Sequence, residues 1–235
     1  VKRNPPIVIA LDGPAGAGKS TVGLAVARAL GFTFVETGKL YRAVALQALR
    51  LGVPLGDAAA LAAMCAVTDL VYELRAAGPA VILDGEDVTA SLAAPPVTEA
   101  ASAVSANADV RAALLPLQRR LARPRGVVME GRDIGTVVFP DAAFKFYLDA
   151  SLGARAERRA RDLAALGEET TPSKVAMDLE ARDRRDAGRA VAPLRRADDA
   201  IYVDTTDMTF EQVVEFIVNV VRTRREPAGG GDRAP

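Results

Sequence analysis

GPAGAGKS, residues 13 to 20, follows the apolar run IVIAL at residues 7 to 11 and precedes TVGLAVARAL at residues 21 to 30, whose apolar positions recur at helical spacing. A strand, a glycine-rich turn and a helix in that order decide the fold. Gly13 and Gly18 bracket four residues and are followed by Lys19 and Ser20, the complete GxxxxGK[ST] pattern. Glycine lets successive backbone N–H groups turn inward as an anion nest, and the helix N-terminus behind them adds a favourable dipole. In such a nest Lys19 suits the outer phosphates of a nucleotide and the Ser20 hydroxyl suits Mg²⁺.

On either side of the loop, strand-like and helix-like segments alternate almost from end to end. Short apolar runs at 7–11, 32–36, 127–130, 144–149 and 201–204 predict five strands, and helical periodicity predicts helices at 19–30, 38–51, 96–121, 152–166, 172–187 and 209–224. Runs buried on both faces with helical crossovers imply a parallel sheet between helix layers, a P-loop three-layer α/β sandwich with ligands at the carboxyl ends of its strands. TDLVYELRAAGPAVILDGEDVTAS at 68–91 breaks the alternation with two β-patterned runs and an Asp84-Gly85 turn. That pattern predicts a small antiparallel insert, assigned to about 62–101. The arginine-rich stretch from about 153 to 190 is expected to be a helical lid, within a single domain over 1–225. The Gly- and Pro-rich tail at 226–235 is expected to be disordered.

Composition narrows the chemistry. Lys plus Arg and Asp plus Glu number 30 each, so bulk charge gives no sign of a nucleic-acid or membrane partner. There is no histidine, which removes Ser-His-Asp, Cys-His and His-metal catalysis, and the single cysteine, Cys65, excludes an intramolecular disulfide framework. Without an apolar membrane span or a signal-like N-terminus, the chain is expected to be cytoplasmic, and a monomer is the default expectation.

The acceptor is read away from the loop. No guanine-reading NKxD segment is present, and the third strand ends in GVVMEGRDIGT, which gathers Glu130, Arg132 and Asp133 where a ligand is expected. An ion pair of Arg132 with Asp133 or Glu130 is the alternative use of these charges. In EARDRRDAGRAVAPL, Arg182, Arg185, Asp186 and Arg189 share one helix face, and Arg155, Arg158 and Arg159 share another. Either stripe also fits a solvated, salt-bridged face. Arginine forks suit phosphate oxygens, and with Arg42 and Arg111 they exceed what one triphosphate needs. A hydroxyl acceptor would want a carboxylate base, whereas a nucleoside monophosphate presents an anionic oxygen and needs none.

Taken together, ALDGPAGAGKST, TGKLYRAVAL, LDGEDVT, EGRDIGTVVFPDA and RDRRDAGRAVAPL resemble the bacterial cytidylate kinase family over nearly the whole chain. The resemblance implies phosphorylation of CMP and dCMP by ATP with Mg²⁺, on a five-stranded parallel core with a monophosphate-binding insert and a lid. It implies that Gly13, Pro14, Ala15, Gly16, Ala17, Gly18, Lys19, Ser20 and Thr21 hold ATP, with Ser20 on the metal. Thr37, Tyr41 and Arg42 would line the monophosphate site, and Ser102 and Arg111 would read the cytosine edge. Arg132 would grip the acceptor phosphate, Asp133 the sugar, and Arg182 and Arg189 the CMP phosphate and the moving phosphoryl, with Asp186 near the sugar. Lys19, Arg132, Arg182 and Arg189 are thereby the candidate catalytic residues. The chain departs from the family in carrying Thr37 where serine is usual, and Ala187 and Gly188 where larger polar residues are common. The rival expectations are a P-loop kinase for a small hydroxyl acceptor such as shikimate, and a nucleotide-dependent ATPase switch.

Overall fold

The computed structural model describes residues 6–75, 78–122, 126–165 and 167–225, so the tail at 226–235 lies outside the described residues. The first half runs β1 (Val8–Asp12), α1 (Lys19–Leu30), β2 (Thr33–Glu36), α2 (Gly38–Leu51), α3 (Ala58–Val67), β3 (Leu70–Arg75), β4 (Gly78–Leu83) and β5 (Glu86–Asp87). After a short 3₁₀ turn come α4 (Pro95–Val104), α5 (Ala108–Arg120), β6 (Val127–Glu130), β7 (Phe144–Asp149), α6 (Leu152–Ala165), α7 (Pro172–Ala187), β8 (Ile201–Asp204) and α8 (Phe210–Arg225).

Five of the strands form one parallel sheet in the order β2-β6-β1-β7-β8. Val8 of β1 lies opposite Val127, and Ile9 lies opposite Phe144, so β1 is central and wholly buried. Alternate side chains of β1 go to opposite layers, as strand geometry requires. Val8 and Ala10 join Val35, Leu40, Val44 and Met129 on one face, while Ile9 and Leu11 join Val26, Val128, Phe146 and Ile217 on the other. Strand order reverses at β1, between β6 and β7, and there the loop at 13–18 leaves the sheet. That is the switch point where an open α/β sheet leaves a crevice for ligands.

The antiparallel insert forms at the expected place. β3 pairs with β4 from Leu70 opposite Leu83 to Arg75 opposite Gly78, and β4 pairs with β5 across the Asp84-Gly85 turn. Both turn residues have positive φ, 49° and 84°, the conformation that a two-residue hairpin of this hand requires. Tyr72, Val81 and Leu83 of the insert pack into the same apolar cluster as β1 and α2, and the Tyr72 hydroxyl accepts the Glu36 N–H at 3.1 Å. The insert is therefore fastened to the end of β2.

Two helices differ from the sequence expectation. The stretch 96–121 is not one helix but α4 and α5, broken where the Asn107 side chain accepts the N–H groups of Asp109 and Val110 at 2.8 and 3.1 Å. That N-cap satisfies donors that a continuous helix would have used itself. α3 lies outside the expected set, because AAALAAMCAV is small or apolar nearly throughout and shows no stripe against a polar face. Its start is capped by Asp57, which accepts the Ala60 N–H at 3.0 Å.

Candidate active site

The phosphate loop is shaped from both sides. Gly13 has φ 143°, and a Cβ there would lie 1.9 Å from the Leu148 carbonyl oxygen, so close packing on β7 demands glycine. Lys19 opens α1 with its ammonium buried, donating to the Pro14 carbonyl at 2.5 Å. Burial, followed by the charge of Arg132, pushes the Lys19 ammonium down to about 7, while Glu130 pulls the other way. Ser20 donates its hydroxyl hydrogen to Glu130 Oε1 at 3.0 Å, and burial raises the Glu130 carboxyl above its usual range. Ala15, Gly16, Gly18, Lys19, Ser20 and Thr21 line a cleft of about 510 Å³, whereas Gly13, Pro14 and Ala17 support the loop from behind.

Across that cleft stand the ends of β2 and β6 and the inner face of α7. Arg132 donates to Asp186 at 2.9 Å, so the alternative of a pair with Asp133 or Glu130 is not what forms. Asp186 also accepts from Arg189, whose Nη2 reaches the Ser105 hydroxyl at 2.7 Å. Asp133 instead accepts from Arg111, which donates to the Ser105 carbonyl at 3.1 Å and sits 5.2 Å above the Tyr41 ring. Arg42 pairs with Glu36 at 3.2 Å, and the Thr37 hydroxyl donates to the Glu130 carbonyl at 2.8 Å, locking β2 to β6.

Arg182 differs from its neighbours in making no hydrogen bond or ion pair among the described residues; its Nε is buried without a partner, as is that of Arg189, but Arg189 is bonded through Nη2. Burial and then Arg132 lower the Arg182 guanidinium to about 10. Arg189 is lowered too, by burial, with Asp186 opposing. Cations crowd this wall beyond the capacity of its carboxylates. Such a surface favours ligands with several negative charges.

Thr37, Tyr41, Arg42, Arg111, Arg132, Asp133, Arg182, Asp186 and Arg189 all line the cleft with the loop. Ser102 does not line it; it is buried behind the wall, its hydroxyl without a partner among the described residues. The two arginine stripes divide. Arg185 is exposed and, among the described residues, bonds only the Ala181 carbonyl of its own helix, whereas Arg158 and Arg159 reach the cleft and Arg155 is buried against the loop. Sequence reasoning missed Asp12, whose carboxylate accepts the N–H groups of Ile134 and Gly135 at 2.8 and 2.7 Å. These bonds anchor a single π-helical turn, Ile134–Val138, behind Arg132 and Asp133. The available signal was an acidic residue closing a fully apolar strand directly before the loop.

A phosphate loop at the switch point of a parallel sheet, facing an arginine-lined wall across one cleft, defines a P-loop phosphotransferase. The family model described as cytidylate kinase matches residues 9–223, and the chain belongs to the cytidylate kinase family. It is 43% identical over 224 residues to the cytidylate kinase of Geobacter sulfurreducens, covering 95% of this chain and 96% of that protein. It is 48% identical over 219 residues to the cytidylate kinase of Symbiobacterium thermophilum, covering 92% and 96%. Among solved structures, an uncharacterized protein from Eubacterium ventriosum shares the fold with a TM-score of 0.52 at 11% identity, covering 93% of this chain and 99% of that one. Among the described residues no helix is long and apolar enough to cross a membrane.

Proposed function

We propose that the protein transfers the terminal phosphoryl group of ATP to CMP and dCMP. The observation that carries this reading is the paired construction of one cleft: a phosphate loop on one wall, and Arg132, Arg182 and Arg189 with Asp133 and Asp186 on the other. ATP phosphates fit the backbone nest from Ala15 to Thr21, with Lys19 as their charge partner. Phosphate oxygens beside Lys19 would restore its ammonium form against the burial and the neighbouring guanidinium that lower it.

The acceptor phosphate fits Arg42, Arg132 and Arg189, its sugar Asp133 and Asp186, and its base Arg111 with the unpartnered Ser102 hydroxyl behind. Arg182 stands between the two halves. Its free donor suits charge that develops on the phosphoryl group in transit, where a preorganised cation lowers the barrier most. The attacking phosphate oxygen is already anionic, so this histidine-free chain needs no general base. Exclusion of water falls to α6 and α7, read as the lid over 153–190, and positioning of the monophosphate falls to the insert over about 62–101.

Ser20 and Glu130 offer two hard oxygen donors at the mouth of the loop. Among the described residues no group of three or more His, Cys, Asp or Glu could cage an ion. That set fits Mg²⁺ held jointly with phosphates and water rather than by protein alone. Bound there, the ion would offset phosphate charge. The reading takes the enzyme as a cytoplasmic monomer acting on free nucleotides.

An acceptor panel at fixed ATP, comprising CMP, dCMP, UMP, AMP and shikimate, tests the proposal. Transfer is expected to CMP and dCMP, and Arg182→Met is expected to lower kcat by about 10²- to 10³-fold, the scale for losing one electrostatic stabiliser. Preferred phosphorylation of shikimate, or ATP turnover indifferent to CMP, would overturn it.

A further inference from the structure

Asp183 follows Arg182 in α7 but points away from the arginine-lined wall, toward the phosphate loop. Its Oδ1 accepts the Ala15 N–H at 3.3 Å, and its Oδ2 accepts from Arg155 Nη1 at 2.5 Å. Arg155 comes from α6, is buried, and also donates to the Ala15 carbonyl at 3.1 Å and the Ala150 carbonyl at 3.0 Å. Both backbone polar groups of one loop residue are thus held by an ion pair that spans the two helices. Apolar packing has the same arrangement, because Ala15 is buried with Ala156 of α6 and Val175 and Leu179 of α7 in a cluster separate from the two sheet layers. Gly16 is equally close, since a Cβ there would lie 3.2 Å from the Arg155 Cβ.

One turn of α7 is therefore fixed at two points. Asp183 ties it to the donor loop, and Asp186, three residues on, ties it to Arg132 and Arg189 on the acceptor wall. Arg182 lies next to the first tie with its Nε unpartnered. We propose that Asp183, oriented by Arg155, is a positioning residue that clasps α7 to the phosphate loop at Ala15 and so sets Arg182 between the two phosphate subsites. While the clasp is made, the lid is held against the donor loop, so the Arg182 guanidinium keeps its register relative to phosphates bound there. An exposed pair such as Arg184 with Glu180, at 3.4 Å on the outer face of the same helix, has no such consequence. The inference rests on the phosphoryl-transfer reading above.

The test uses the full chain and the variants Asp183→Ala, Asp183→Asn, Arg155→Ala, Arg155→Lys and the double alanine. For each, kcat and KM for CMP, ATP hydrolysis without CMP, and the melting temperature are measured. Asp183→Ala is expected to lower kcat for transfer by about 10- to 100-fold, the scale of a misplaced catalytic group. KM for CMP should stay within about twofold, because no acceptor-wall contact is lost, and hydrolysis per transfer event should rise as α7 loosens. Arg155→Ala should match it, and the double variant should be no worse than the single ones, because the pair acts as a unit.

Asp183→Asn still accepts the Ala15 N–H but offers Arg155 no charge, and Arg155→Lys keeps the charge without the fork. If the alanine variants do not fold, these two carry the same kcat and hydrolysis readings. Losses of transfer and CMP-free hydrolysis in equal proportion would show a merely structural pair and overturn the proposal, as would single-variant losses that multiply or a kcat within about twofold of wild type. Wild-type enzyme assayed alongside separates the two readings: failure to phosphorylate CMP overturns the proposed function, whereas normal wild type with unaffected variants overturns only the clasp.

Discussion

Asp12 ends β1 with a carboxylate enclosed by the sheet, yet two backbone N–H groups aim at it. Burial dominates, raising its pKa from 3.8 to about 6, while the two hydrogen bonds and Lys19 pull it back. The sign follows from linkage. A carboxyl whose folded pKa lies above its unfolded value binds its proton more tightly in the fold, so its contribution is complete below pH 3.8 and is lost as pH rises through about 6. At 1.36 kcal/mol per unit of difference, that loss is about 3 kcal/mol. Asp12→Asn cannot ionise, so wild-type stability relative to it should fall by about this amount between pH 4 and pH 7 in urea unfolding. Glu130 is common to both proteins and cancels in the comparison. Parallel pH profiles would refute the assignment. The same residue anchors the turn behind Arg132 and Asp133, so an ionisable group beneath the site trades stability for a fixed acceptor wall.

At the scale of elements, Asn107 shows how a cap becomes a functional device. By accepting two N–H groups at the head of α5 it ends the approach from α4 and starts a helix whose first turn carries Arg111 toward Asp133 and Tyr41. Asn107→Ala should cost about 1 kcal/mol of stability, the usual value of an N-cap, and should raise KM for CMP more than it lowers kcat. An unchanged KM would detach the cap from the acceptor pocket. This break was written in the sequence as a single Asn, and continuous apolar periodicity across it masked the signal. The strands at 127–130, 144–149 and 201–204 were legible to the residue because each is a short apolar run with clear punctuation. α3 was illegible because a segment of alanines presents no face. Helical spacing placed Arg182, Arg185 and Arg189 together but could not say that Arg185 stays in solvent, nor that Asp183 turns to the loop. Those outcomes depend on partners distant in the chain. The phosphate loop needed no distant partner, since its pattern prescribes its own backbone.

Among the described residues the apolar core falls into three clusters of unequal size. Two lie on the faces of the parallel sheet, and the larger of these includes the insert through Tyr72, Val81 and Leu83. The third holds α6 and α7 to Ala15 and has four buried members. Stability should be distributed accordingly, because segments with few buried apolar contacts open at lower free energy than the main core. Sheet and insert should behave as one cooperative unit in native-state hydrogen exchange, with the helical hairpin opening independently and earlier. Charge reinforces the difference, since α7 and the residues just past its end carry Arg182 and Arg189 into a wall already occupied by Arg132. Nucleotide phosphates reverse that repulsion, and a ligand at 100 times its Kd stabilises the state it binds by about 2.7 kcal/mol, close to a hundredfold in opening. CMP with a non-hydrolysable ATP analogue should therefore slow exchange in 172–187 by about that factor, and CMP alone should slow it less, because it leaves the loop side of the clasp without phosphates. Exchange in α7 as slow as in β1 before any nucleotide is added would show that the hairpin is part of the core and not a separate closing body.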